Sequence, residues 1–110
     1  MGRRKKVKQR LPETVANVAK SLCADYARRE NAIKYSAITG PVLARYVELN
    51  AAVNTALEGV EAGIREELLD DIAKGRGYEA STLATLMAKN TYYARKQKVL
   101  LALAKELALI

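Results

Sequence analysis

The chain contains no histidine, tryptophan or phenylalanine, a single cysteine and two prolines in 110 residues. Without histidine, a serine or cysteine nucleophile lacks its ordinary base, and imidazole ligands for a transition metal do not exist. The acids that stand as neighbours, Glu66-Glu67 and Asp70-Asp71, read as one exposed helix face rather than a catalytic pair. No enzyme, cofactor or metal is therefore expected. Cys23 has no partner for an internal disulfide, and its place among apolar residues at helical spacing reads as a buried small hydrophobe. The basic start Arg3-Arg4-Lys5-Lys6 leads to Pro12 and polar residues rather than an apolar run, so no secretory signal is expected. No stretch is long and apolar enough for a bilayer. A reducing cytoplasm is the expected setting.

Half of the residues are apolar, and the only aromatics are six tyrosines. The core must then be built from Leu, Ile, Val and Ala, which favours helices. The formal charge of +7 is unevenly placed. Residues 1–10 carry Arg3, Arg4, Lys5, Lys6, Lys8 and Arg10 without an acid. Residues 89–110 carry Lys89, Arg95, Lys96, Lys98 and Lys105 against Glu106 alone. The stretch between them is net acidic. Positive charge at both ends is the distribution expected of a protein that binds a polyanion. A solvated tail that aids solubility is the plainer reading of residues 1–10 alone.

Residues 1–10 bury nothing and are expected as a disordered basic arm, with 11–110 as a single helical domain. Its first helix opens at Pro12-Glu13 and runs to about Tyr35, with Val15, Val18, Ala19, Leu22, Cys23, Tyr26 and Ile33 on one face. Asp25, Arg28, Arg29 and Glu30 interrupt that face; an ordinary exposed charge cluster is the plainer reading, and Arg29 reaching a carboxylate on a neighbouring helix the sharper one. Ser36 to Gly40 is a break, and Pro41 starts a second helix that folds back on the first as an antiparallel pair. Its stripe is Val42, Leu43, Tyr46, Leu49, Val53, Leu57 and Val60, with Asn50 and Asn54 on an exposed flank. Gly59 and Gly63 signal a turn. A third helix turns Ile64, Leu68, Leu69 and Ile72 inward and Glu66, Glu67, Asp70 and Asp71 to water, and Lys74-Gly75 ends it. Residues 11–74 thus form a helical hairpin and third helix, and 78–110 a helix-turn-helix.

In that last unit a short helix from Ser81 to Met87 carries Leu83, Leu86 and Met87 inward, with the Ser81 hydroxyl as its cap. Ala88-Lys89 makes the turn, and a longer helix starts near Asn90 with Tyr93, Leu100, Leu103, Ala104, Leu107 and Ile110 inward. The opposite side then presents Thr91, Ala94, Arg95 and Lys98. A DNA-binding helix-turn-helix has this division, one side packed and the other reaching base edges. Arg95 and Asn90 are candidates for guanine and adenine edges, while Lys89, Lys96 and Lys98 suit phosphates. Many packed helical hairpins share the spacing. The fold class is all-α, an antiparallel helical pair plus a C-terminal helix-turn-helix, about five helices in total.

The segment Asn90-Thr91-Tyr92-Tyr93-Ala94-Arg95-Lys96, followed by Leu103-Ala104-Lys105-Glu106-Leu107, resembles the C-terminal end of ArpU/RinA-type late-gene transcription regulators of phages and prophages. Their last segment is similar to the DNA-binding region 4 of sigma factors. Leu22 to Arg29, Tyr46 to Asn50 and Gly77-Tyr78 look like phage-encoded proteins of this size. The family usually has Ser where this chain has Lys89 and a basic residue where it has Ala94. The resemblance implies a bacterial or prophage transcription regulator that binds double-stranded DNA, with Thr91, Tyr92, Arg95 and Lys98 on the recognition helix. Such regulators often pair as homodimers over two half-sites, and RNA polymerase is a further partner such a protein would meet. The alternative is a helical oligomeric assembly protein, such as a phage packaging subunit, whose basic ends touch DNA loosely. A membrane-surface module using Lys96 to Ile110 is a third reading, against which the same apolar residues are needed for the core.

Overall fold

The computed structural model describes residues 11–35 and 38–110; the arm expected at Arg3, Arg4, Lys5 and Lys6 lies outside them. Regular structure among these residues is helical throughout, as expected. Five α-helical segments follow in order: α1 (Glu13–Ala24), α2 (Tyr26–Lys34), α3 (Gly40–Leu57), α4 (Arg65–Lys74) and α5 (Lys89–Glu106). Short 3-10 turns occupy Ala62–Ile64, Tyr78–Ala80 and Thr82–Thr85. No described helix is long and apolar enough to cross a membrane.

The first expected helix is broken in two. Asp25 sits at φ −95°, ψ 3° between α1 and α2, although its N–H still bonds Ser21 and its carbonyl still receives the Arg29 N–H. The Leu22 carbonyl is taken by the Arg29 guanidinium, at 2.5 Å from Nη2, and a side chain inserted into the main-chain ladder is a recognised cause of a bend. Arg29 is 2% exposed, so the plain reading of a solvated charge cluster is corrected. Nor does it reach a carboxylate across the interface: its Nε donates to Asn50 Oδ1 of α3 at 2.6 Å, and its ion-pair partner is Asp25 at the break before α2, 3.7 Å away. Asn50, expected on an exposed flank, is buried, and its amide donates to Glu30 and to the Tyr26 carbonyl. These polar contacts join α2 to α3.

The apolar core is drawn from four helices. Ala19 and Cys23 of α1, Val53, Ala56 and Leu57 of α3, Leu68 and Ile72 of α4, and Val99, Leu100 and Leu103 of α5 are buried together. Each fully buried leucine contributes about 1.5–3 kcal/mol. α3 reaches this core only with its second half. Val42 is half exposed and Leu43, Tyr46 and Leu49 are partly buried, while the buried residues of α3 run from Asn50 to Leu57. Val18, expected on the inner face, is also exposed, since it lies on the side of α1 turned away from α4 and α5.

Gly75 ends α4 as read from the sequence. It lies in the left-handed region at φ +67°, and the Arg76 N–H reaches back to the Asp71 carbonyl at 2.8 Å. Between this cap and α5 the expected helix from Ser81 to Met87 is absent. The Ser81 hydroxyl does accept the Leu83 N–H, at 3.0 Å, but two 3-10 turns follow the chain here instead of an α-helix. The Tyr78 hydroxyl lies 3.1 Å from the Ala84 carbonyl and 2.8 Å from that of Met87, occupying acceptors that a continuing helix would use. Leu86 consequently stands 68% exposed rather than packed.

Candidate nucleic-acid interface

α5 is the element on which the expected contact residues meet, and its orientation follows from one stripe. Tyr92, Val99 and Leu103 recur at seven and four residues and are all fully buried. Tyr92 is thus a core residue, not a contact residue. Its neighbour Tyr93, expected inside, is 41% exposed. Two adjacent tyrosines are about 100° apart around a helix, so only one of them can share the stripe with Val99. Ile110 lies past the helix end and is exposed as well.

Tyr92 is held from α4. Its hydroxyl donates to Asp71 Oδ2 at 2.9 Å, and Ser81 Oγ donates to the same oxygen, while Arg76 Nη1 lies 2.6 Å from Oδ1. Asp71 was expected in water with its acidic neighbours and is instead 1% exposed. Burial alone would raise its pKa, yet hydrogen bonds from Ser81, Arg76 and Tyr92 together hold it below the ordinary carboxylate range. Burial, with the Asp71 charge, pushes the Tyr92 phenol up to about 12. This cluster positions the start of α5: one carboxylate ties α4, the loop at Arg76, the turn at Ser81 and the helix at Tyr92.

Around that anchor the expected residues take distinct places. Asn90 and Lys98 are exposed, and Thr91 is partly so. Asn90 does not cap the helix, which begins one residue earlier; Ala88 holds the cap position with extended backbone and no side-chain acceptor. Arg95 is clamped by Glu61, Nε to Oε1 at 2.9 Å and Nη2 to Oε2 at 3.0 Å. Those bonds lower the Glu61 pKa. Lys89 pairs with Glu79 at 3.3 Å. Lys98 runs its stem past Gly59, and no acid lies within ion-pair distance of it among the described residues. Lys96 departs furthest from the expected outward face. It turns to the loop side, donates to the Arg76 carbonyl and lies over the rings of Tyr92 and Tyr93, at 4.9 and 5.7 Å from their centroids.

The outward side of α5 is therefore narrower than expected. Asn90, Ala94 and Lys98 form its exposed strip and Thr91 and Arg95 border it, while Lys89 lies round the helix on the loop side, where it meets Glu79. Exposed ion pairs such as those of Arg95 and Lys89 are worth at most about 1 kcal/mol, so an incoming phosphate competes with Glu61 and Glu79 at small cost. No group of described carboxylates and Cys23 has the arrangement of a metal site. The buried polar residue that organises the site, Asp71, is not legible in the sequence, where it is embedded in a run of charges. Comparison of the chain with protein-family models, curated proteins and solved structures found no match.

Proposed function

We propose that the protein binds double-stranded DNA through the outward side of α5. The observation that supports this best is the exposed strip Asn90, Ala94 and Lys98, bordered by Thr91 and Arg95, on a helix whose opposite side is fixed in the core. Helical side chains so arranged suit a major groove, with Asn90 placed for base edges and Lys98, Arg95 and Lys89 for phosphates. The uncapped first turn adds free N–H groups at the positive end of the helix dipole, which favour a phosphate. In this reading the short turns from Tyr78 to Thr85 and α5 act together as a helix-turn-helix variant. A phage-type transcription regulator, as the Thr91-Tyr92-Tyr93 resemblance implies, is the form of it we favour.

The test is binding of labelled duplex DNA across a salt series, for the full chain and for Arg95→Ala combined with Lys98→Ala. The log affinity is expected to fall with log salt at a slope of roughly −4, and the double substitution to reduce that slope by about two. Binding that the substitutions leave untouched would remove α5 from the interface, and no binding at 50 mM salt, a concentration of the order used for such series, would end the DNA reading.

A second reading, helical assembly, is favoured by the large apolar side chains left on the surface at the end of α2 and the start of α3, Tyr35, Val42 and Val47. Its expected result is a concentration-independent oligomer in sedimentation velocity that Val42→Asp dissociates.

A further inference from the structure

On the loop side of α5, three cations from separate elements line one cleft of about 240 Å³: Lys20 of α1, Arg76 after α4 and Lys96 of α5. Gly75, Gly77 and Tyr93, with Ile72 and Leu100 as its apolar floor, complete its wall. Arg76 is answered by Asp70 and Asp71, at 3.0 and 2.6 Å. Neither Lys20 nor Lys96 has a carboxylate within ion-pair distance among the described residues; Lys96 is held by the Arg76 carbonyl and two tyrosine rings, so at this concave surface neither charge is neutralised by an acid. Burial lowers the Lys96 pKa, and the nearby charges of Lys20 and Arg76 lower it further against the pull of Asp71. Positive charge is thus accumulated here beyond what the protein's own acids neutralise.

The donors fit one ligand shape. Tyr93 Oη accepts the Tyr78 N–H at 3.1 Å, which leaves its own hydrogen for another acceptor. Gly77 keeps the loop close to that hydroxyl, since a Cβ there would lie 3.3 Å from Tyr93 Oη. Two ammonium groups and a phenol around a small cleft suit a compact, doubly charged oxyanion with several acceptor oxygens better than a planar carboxylate.

We propose that this cleft is a binding site for a single phosphate group, held between Lys20 and Lys96 with the Tyr93 hydroxyl as a third donor. It stands independently of the α5 strip, because Lys96 and Lys98 lie on different sides of the helix. The phosphate is either one unit of a nucleic-acid backbone or a free phosphate.

The experiment is a titration of the full chain with inorganic phosphate at constant ionic strength, followed through the backbone amide resonances of Gly75 and Gly77, with chloride as control. Lys20→Ala is the main variant, since Lys20 is exposed and outside the core; Lys96→Met, which keeps the buried stem, is the second. Saturable shifts that Lys20→Ala weakens about tenfold and Lys96→Met abolishes are expected. Shifts that chloride reproduces, or that Lys20→Ala leaves unchanged, overturn the site. Duplex DNA titrated against the same variants then separates the sources. A salt slope reduced by about one in Lys20→Ala assigns the phosphate to a nucleic-acid backbone; unchanged DNA behaviour beside weakened phosphate binding assigns a free phosphate.

Discussion

Asp71 is the buried carboxylate through which stability is linked to pH. Its folded pKa is depressed by three hydrogen-bond donors, so its contribution to stability is complete above the unfolded carboxylate range, near pH 4, and is lost as pH falls through the lower folded value. Acid unfolding of the wild type is expected to steepen below about pH 4, and Asp71→Asn to flatten that limb while costing roughly 2–3 kcal/mol at neutral pH, measured by urea unfolding at several pH values. Tyr92 supplies the alkaline counterpart. Its folded pKa of about 12 lies above the ordinary 10, so its stabilising contribution is full below pH 10 and declines as pH rises towards 12. Absorbance at 295 nm should show a phenol titrating near 12, and Tyr92→Phe should remove that step.

At the scale of the helix, α5 starts poorly by the usual rules. Ala88 offers no acceptor to the first turn, and Lys89 puts positive charge at the positive end of the dipole. Ala88→Ser is expected to raise stability by about 0.5–1 kcal/mol, read as a higher urea midpoint with unchanged slope. If α5 binds DNA as proposed, this variant should also weaken binding modestly, because its hydroxyl satisfies N–H groups a phosphate would otherwise take. The weak start also explains why the sequence points to a helix beginning one residue later than it does. Asn90 carries the better capping side chain, but the stripe through Tyr92, Val99 and Leu103 sets where the helix enters the core. Tyr92 and Tyr93 are indistinguishable by hydrophobicity, and only their distance from Val99 and Leu103 separates them. Lys96 lies in the same inner sector, where its charge led to its being read as surface.

For the whole molecule, the all-α class, the turn at Gly59 to Gly63 and the glycine cap at Gly75 were legible because apolar spacing and glycine each report on local backbone. The buried polar joints were not. Arg29 with Asn50, and Asp71 with Ser81, Arg76 and Tyr92, are pairings between distant positions, and each member resembles its exposed neighbours in composition. Such a joint is visible only once the helices have been brought together, yet it decides which side of α5 faces out.

The segment from Gly75 to Leu83 contains no α-helix, but it is not a loose connection. The main-chain N–H groups of Gly75, Arg76, Tyr78, Ala80, Ser81 and Leu83 are all bonded within the protein, and Ser81 and Leu83 are buried. A protease that cleaves after basic residues needs an extended stretch of free chain, which local fraying cannot release here. The bond after Arg76 should therefore survive limited digestion as long as the core does, and its cutting rate should follow global unfolding rather than loop motion.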